Sequence, residues 1–321
     1  MRTPAFRFAS LLAVLVLLAA PARAQAITGR VLSSTGAGVP GVNIDAFDSG
    51  GNELDLLNDG TDAAGNFTTT VVDGAGVYTF FFYPPAPPTT THLVGTRANV
   101  VVVSTTNLGN VTLGAGVLLS GRALRGASIP VSNVTLEVLD AVTRLPITQV
   151  QTKTNAFGNF NLAVPEQPIE LRLDPSSSGF LLAARRFERT PAGPLALGDV
   201  KLPVGALVSG HIQRVNGTAV AGVDLDFRKN GNANDTFVYD DNTTASGDFS
   251  VILPLGTYAV SVCPKATDLL VAQEFTNVSV AGTTSLGTLV LVAGVELHGT
   301  VLNASGQPAA GVDVDVLHAT K

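Results

Sequence analysis

The chain has 321 residues, of which 19 are Lys or Arg and 25 are Asp or Glu, for a formal net charge of −6. That balance leaves no electrostatic footprint for nucleic acid, and one cysteine excludes an intramolecular disulfide framework or a multi-cysteine metal site. With 45% hydrophobic and 14% charged residues, 33 glycines and no tryptophan, the composition points to ordered β-structure rather than to helix or disorder.

Arg2 and Arg7 precede an apolar run from Leu11 to Ala20, Pro21 breaks it, and Ala22-Arg23-Ala24 places small residues where a signal peptidase reads. This pattern predicts a signal peptide over residues 1–24, with Ala26 as an alternative cut. The run is about half of the ~20 residues that a bilayer crossing needs, so it reads as an export address and not as an anchor. Cleavage removes three arginines and no acid, leaving 16 basic and 25 acidic residues. No later stretch is apolar for long enough to span a membrane, and the protein is expected to be secreted or at the cell surface.

The remainder repeats. Segments beginning at Ile27, Leu119, Val208 and Leu297 each place a glycine two residues on, at Gly29, Gly121, Gly210 and Gly299. Gly65-Asn66-Phe67, Gly158-Asn159-Phe160 and Gly247-Asp248-Phe249 keep step with them, as do Pro84, Pro175 and Pro264 and the pairs Leu108-Gly109, Leu197-Gly198 and Leu286-Gly287. A spacing near 89 residues is too long for a solenoid unit and suits a small domain in tandem. The expected units are 27–118, 119–207, 208–296 and an incomplete 297–321.

Each unit reads as strands. Val42, Ile44 and Ala46 alternate with Asn43, Asp45 and Phe47, and the same alternation returns at Val134–Leu139, Val223–Arg228 and Val312–Leu317. Further strands are expected from Phe67, Phe160 and Phe249, then through Tyr78-Phe80-Phe82, Ile169-Leu171-Leu173 and Tyr258-Val260-Val262, ended by the recurrent proline. The last strands are expected over 110–113, 199–202 and 288–291. Short strands joined by Gly, Asn, Asp and Pro turns predict an all-β sandwich. Gly65, Gly158 and Gly247 fit positive-φ turn positions, and Asp62 fits an Asx-turn.

The third unit holds Val220-Ala221-Gly222-Val223, Thr244-Ala245-Ser246-Gly247-Asp248-Phe249 and Leu253-Pro254-Leu255-Gly256-Thr257-Tyr258. The first holds Val39-Pro40-Gly41-Val42 and Thr61-Asp62-Ala63-Ala64-Gly65-Asn66-Phe67, with Asp73-Gly74-Ala75-Gly76-Val77-Tyr78 departing by its missing proline. In this pattern the chain resembles the carboxypeptidase regulatory-like domain. The resemblance implies tandem seven-stranded transthyretin-like β-sandwiches, akin to collagen-adhesin B-type repeats and starch-binding-like domains, and a role that is usually non-catalytic. Some collagen-adhesin repeats carry a Lys–Asn cross-link from the first strand. Here that position holds Arg30, Arg122, His211 or Thr300, so no cross-link is expected.

The sequence offers little chemistry. It contains no G-x-S-x-G elbow, no H-E-x-x-H helix and no P-loop. His92, His211, His298 and His318 lack the spacing of a zinc site, and no catalytic, cofactor-binding or metal-binding residue is assigned. Asn58–Asp62 and the group Asp235, Asp240 and Asp241 are candidate calcium loops that read better as polar turns. Cys263 aligns with Tyr83 and Asp174 at a strand end. An unpaired cysteine there can join two chains, though a lone small residue is the simpler reading. The run Phe80-Phe81-Phe82-Tyr83 is apolar on both faces, so Phe81 and Tyr83 face the proline-rich loop beside them, a neighbouring unit, a partner or a ligand.

These features favour a monomeric, non-catalytic extracellular module that acts as stalk, spacer or adhesion region, with an extracellular protein or polysaccharide as partner. The alternatives are a starch-like polysaccharide-binding module and the accessory region of a secreted hydrolase such as a metallocarboxypeptidase. Five residues separate successive units, at most about 17 Å of extended chain, so an elongated array with short joints is expected. In the fourth unit Val312, Val314 and Val316 are expected to be less buried than Val223, Leu225 and Phe227.

Overall fold

The computed structural model describes residues 24–71, 74–312 and 314. The expected signal peptide, apart from Ala24, and the end of the fourth unit, including Val316, lie outside them. The first unit contains β1 (Gln25–Leu32), β2 (Asn43–Phe47), β3 (Glu53–Leu54), β4 (Leu56–Leu57), β5 (Asn66–Val71), β6 (Gly76–Tyr83), β7 (Gly95–Val102) and β8 (Thr106–Thr112). The second contains β9 (Val117–Arg125), β10 (Ile129–Pro130), β11 (Thr135–Asp140), β12 (Asn159–Val164), β13 (Ile169–Asp174), β14 (Arg185–Arg189) and β15 (Leu195–Leu202). The third contains β16 (Gly205–Arg214), β17 (Asp224–Lys229), β18 (Asp248–Pro254), β19 (Gly256–Cys263), β20 (Gln273–Val280) and β21 (Thr284–Leu291). The described chain is all-β apart from two single 3₁₀ turns, at Ser176–Ser178 and Ala266–Asp268.

Each unit is a β-sandwich of two sheets. In the first, β4-β5-β1-β8 faces β3-β2-β6-β7. In the second, β9 pairs with β10, β12 and β15, and the other sheet is β11-β13-β14. In the third the sheets are β18-β16-β21 and β17-β19-β20. The second unit thus has the seven strands the resemblance implies, and the first and third have eight and six. The second unit gains β10 before its second long strand, where the first and third have the isolated bridges Leu32–Gly38 and Gln213–Ala219, and the first gains β3 and β4 from the connection after that strand. That connection forms two-residue strands in the first unit but isolated bridges such as Leu139–Pro146 and Asp224–Asn242 in the others.

First and last strands pair in parallel, and Gly109, Gly198 and Gly287 break the register with φ of 65°, 65° and 67°. This bulge explains why the last strands begin four residues before their expected starts. The edge strands β7, β14 and β20 were not legible as strands. Both faces of each are largely exposed, so they carry no alternating pattern.

Three separate cores fill the sandwiches. Ile44, Phe80 and Phe82 anchor the first, Leu136, Phe160 and Leu171 the second, and Leu225, Phe227 and Tyr258 the third. The G-x-F motif has a packing reason. Phe67, Phe160 and Phe249 pair across the sheet with Gly29, Gly121 and Gly210. A Cβ on those glycines would lie 2.7, 2.5 and 2.6 Å from a ring carbon, so the ring occupies the space the side chain would need. The turn glycines Gly65, Gly158 and Gly247 have φ of 81°, 75° and 79°, as expected.

The joints are hydrogen-bonded ribbons. Leu93 N donates to Gly114 O (2.9 Å) and Gly116 N to Thr91 O (2.9 Å). Ala183 N donates to Pro203 O and Gly205 N to Leu181 O, both at 2.9 Å. Val271 N donates to Val292 O (3.0 Å) and Gly294 N to Leu269 O (2.8 Å). Each connector is therefore stitched to a loop of the unit it leaves. A Cβ on Gly116 would sit 2.9 Å from Thr91 O and 2.9 Å from Val164 O, one oxygen from each adjoining unit.

The fourth unit keeps the entry turn, with a Leu302–Pro308 bridge like Leu32–Gly38 in the first. Val312 and Val314 are 49% and 67% exposed, whereas Val223, Leu225 and Phe227 are fully buried. Among the described residues, chain neighbours aside, nothing lies within 4 Å of a Cβ built on Gly299.

Candidate functional site

The sequence assigned no catalytic residues, and the nearest approach to a triad is in the third unit. His211 Nδ1 lies 2.9 Å from Asp248 Oδ1, and Ser246 Oγ donates to Asp248 Oδ2 at 2.8 Å. The hydroxyl bonds the carboxylate and not the imidazole, so this order does not activate a nucleophile. The His211 contact, then Ser246, holds the Asp248 carboxyl below its usual range.

The first acidic loop ends in the Asx-turn expected of Asp62, whereas Asp235, Asp240 and Asp241 lie in irregular chain between β17 and β18. Asp62 Oδ1 accepts from Ala64 N and Asn66 N, both at 2.8 Å, and Asp62 Oδ2 accepts from Asn66 Nδ2 at 3.2 Å. Asn155 Oδ1 plays the same part in the second unit and Thr244 Oγ1 in the third. Among the described residues no group of three or more His, Cys, Asp or Glu is arranged to hold a metal ion. In the first-strand position, Arg30 Nε donates to Ala64 O (2.9 Å) and Arg122 Nε to Phe157 O (3.1 Å), each bracing the turn before the next strand.

The units differ most on the outer face of the sheet built on β2, β11 or β17. Cross-strand registers put Asp45 opposite Phe81, Glu137 opposite Arg172 and Asp226 opposite Ser261. One position in one fold therefore carries three chemistries. In the third unit the face is acidic. Burial, then Asp224 and Asp235, raises the Asp226 carboxyl, and burial, then Asp226 and Asp224, raises the Cys263 thiol. Cys263 is half-buried, with Sγ 3.9 Å from Asp226 Oδ2.

In the second unit the face is an ion network. The buried Glu170 carboxylate bonds Arg144 and, at 2.5 Å, Arg172 Nε, while Arg172 also reaches Glu137 at 3.2 Å and Arg144 reaches Glu188 at 3.2 Å. Burial draws the Arg172 guanidinium down, but Glu170 and Glu137 outweigh it and the net shift is upward. The third unit reaches back onto this face. The Phe237 ring lies 5.2 Å from the Arg172 guanidinium and 5.5 Å from that of Arg186. Tyr239, edge-on to Phe237 at 5.0 Å, has a buried hydroxyl with no hydrogen-bond partner, and burial, then Glu137 and Asp174, pushes its phenol far up. Beside it a cavity of about 130 Å³ runs between Asp174 and Leu182 of one unit and Ser250 and Ile252 of the next.

In the first unit the face is aromatic. Phe47 and Phe81 meet edge to face, with centroids 5.5 Å apart and planes at 90°, and Phe81 stacks on Tyr83 at 6.1 Å and 25°. All three are half-buried. Burial, then Asp45 and Glu53, raises the Tyr83 phenol, and burial also raises the Asp45 carboxyl against its bond from Asn43, with Asp59 adding to the rise. The sequence pointed to Phe81 and Tyr83. It did not point to Phe47, which reaches them only through the β2–β6 pairing. Tyr78 and Tyr258 lie in the core, as their phase predicts.

No protein-family model matches the chain, and no curated protein sequence matches it. Solved structures of low similarity are found. The Bacillus anthracis TIE protein is 10% identical over 84% of this chain, with a TM-score of 0.24, and the chain spans half of its length. BcpA, the major pilin subunit of Bacillus cereus, is 11% identical over 84% of this chain and all of its own, with a TM-score of 0.23. The shaft pilin SpaA of Lactobacillus rhamnosus GG is 9% identical over 57% of this chain and all of its own, with a TM-score of 0.26. No helix among the described residues is long and apolar enough to cross a membrane.

Proposed function

We propose that the chain is an exported, non-catalytic array of carboxypeptidase regulatory-like sandwiches over 27–118, 119–207 and 208–296 that holds distinct outer faces at fixed spacing, as a stalk or spacer with adhesive surfaces. The observation that carries the reading is the joint. Three connectors of equal length are each tied by two backbone hydrogen bonds to the unit they leave, which limits rotation between neighbours in a way that a free linker does not. The varied outer faces on one repeated frame fit a role in display. The polysaccharide-binding and hydrolase-accessory alternatives rest on the resemblance alone.

Small-angle scattering of the chain from residue 25 tests this. An elongated particle with evenly spaced domain centres is expected, and a compact three-way cluster overturns it. N-terminal sequencing of the exported protein tests cleavage after Ala24, and an intact N-terminus removes the export reading.

A further inference from the structure

The outer face of the second unit is covered by Phe237 of the third, whose ring takes two guanidinium groups. Among the described residues no ring or guanidinium of the second unit lies on the corresponding face of the first. Thr236 N bonds Phe227 O as Ile147 N bonds Val138 O, so the second unit's residue in the place of Phe237 is Thr148, which has no ring to offer. The face left open carries Phe47, Phe81 and Tyr83, flanked by Asp45, Glu53 and Asp59.

Two features of this face select its ligand. The first is ring geometry. Phe47 and Phe81 stand at 90° and form a corner, not the level platform on which a sugar ring stacks. A corner of ring faces beside carboxylates is the arrangement that attracts a cation, because each ring presents its negative face and the acids add charge. The second is charge. The first unit, 27–118, has two arginines and no lysine against seven acids, whereas the second, 119–207, has nine bases against seven acids. Among the described residues every guanidinium lying over a ring does so at Phe180, Phe187 or Phe237, and none at Phe47, Phe81 or Tyr83. The chain places its own arginines over Phe180, Phe187 and Phe237 and leaves this corner without one.

We propose that the aromatic corner of Phe47, Phe81 and Tyr83 is a docking surface for an arginine- or lysine-bearing segment of a partner protein, whose cationic side chain lies over the outward ring faces and pairs with Asp45 or Glu53. The contact inverts the one inside the chain: there the sheet supplies the arginines and the visitor the ring, and here the sheet supplies the rings.

The test uses the chain from residue 25 and a fluorescein-labelled hexa-arginine peptide, read by anisotropy. Saturable binding is expected, and Phe81→Ser should weaken it about three- to thirty-fold, the range of a partly desolvated cation–ring contact. Serine is what the third unit carries there, at Ser261, so the substitution suits the fold. Should it fail to fold, Phe81→Arg, after Arg172 of the second unit, should abolish binding outright. Neutralising Asp45 and Glu53 together should weaken binding, whereas neutralising Asp226 and Glu274 on the third unit should leave it unchanged. Equal binding by the wild type and Phe81→Ser would reduce the attraction to general charge and overturn the proposal, as would no binding. Binding of neutral maltoheptaose that Phe81→Ser removes, with the peptide unaffected, would assign the face to sugar instead.

Discussion

Replacing Gly116 by alanine tests whether the joints are built or merely short. Its φ lies outside the left-handed region, so the backbone accepts alanine and only space is at issue. The new methyl would meet Thr91 O and Val164 O at 2.9 Å each, about 0.5 Å inside ordinary contact, and Leu93 Cδ2 at 2.6 Å. Leu93 can rotate away. The oxygens cannot, because they belong to backbone in two different units. Overpacking of this kind costs about 1–3 kcal/mol, and the smaller conformational entropy of unfolded alanine returns about 0.4–1 kcal/mol. A net loss of about 0.5–2 kcal/mol should lower the unfolding temperature of the first unit by roughly 2–16 °C, with that unit separating from the rest as coupling between neighbours weakens. The control is Gly294→Ala at the third joint, where the nearest atom is Val271 Cγ2 at 3.3 Å and the next lie at 3.6 Å. It should be neutral or slightly stabilising. Calorimetry or urea unfolding monitored by circular dichroism reads both. Indistinguishable transitions for the two variants would refute the view that Gly116 is pinned between units.

The buried Glu170 carboxylate bridges two partly exposed arginines, so Glu170→Gln should cost about 1.5–3 kcal/mol, the loss of charge-assisted bonds with no charge left buried. A urea midpoint equal to the wild type would show that the network contributes nothing. Gly121→Ala should drive a methyl into the Phe160 ring, and adding Phe160→Leu should restore part of the loss; additive changes in a double-mutant cycle would deny that the two share space. The turn bonds hold the folded Asp62 carboxyl below its ordinary 3.8, so Asp62 stabilises the fold above that pH and the contribution is lost as pH falls through the lower folded value. Asn155 and Thr244 in its place do not titrate, and Asp62→Asn should therefore flatten acid unfolding of the first unit alone; an unchanged acid limb counts against the turn's role. Burial and Asp226 raise the Cys263 thiol, so iodoacetamide at pH 8 should label it more slowly than it labels the urea-unfolded chain, and equal rates would show that the folded site gives no protection.

What the sequence determined by itself was periodic. The 89-residue spacing, the alternation at Val42–Phe47 and its counterparts, and the glycine, phenylalanine and proline landmarks specify sandwich units, since each residue type meets a local need of strand or turn. The exposed edge strands were not legible, because both of their faces meet water and the period-two signal vanishes. The bulges at Gly109, Gly198 and Gly287 were likewise hidden, because a residue that slips the register looks like a strand end. The outer faces were decided only by tertiary structure. Phe47 and Phe81 are 34 residues apart and meet through cross-strand register, and Phe237 finds Arg172 and Arg186 across a joint. Such contacts join residues with no shared local pattern, so the sequence named Phe81 and Tyr83 as rings outside the core but not the corner they form.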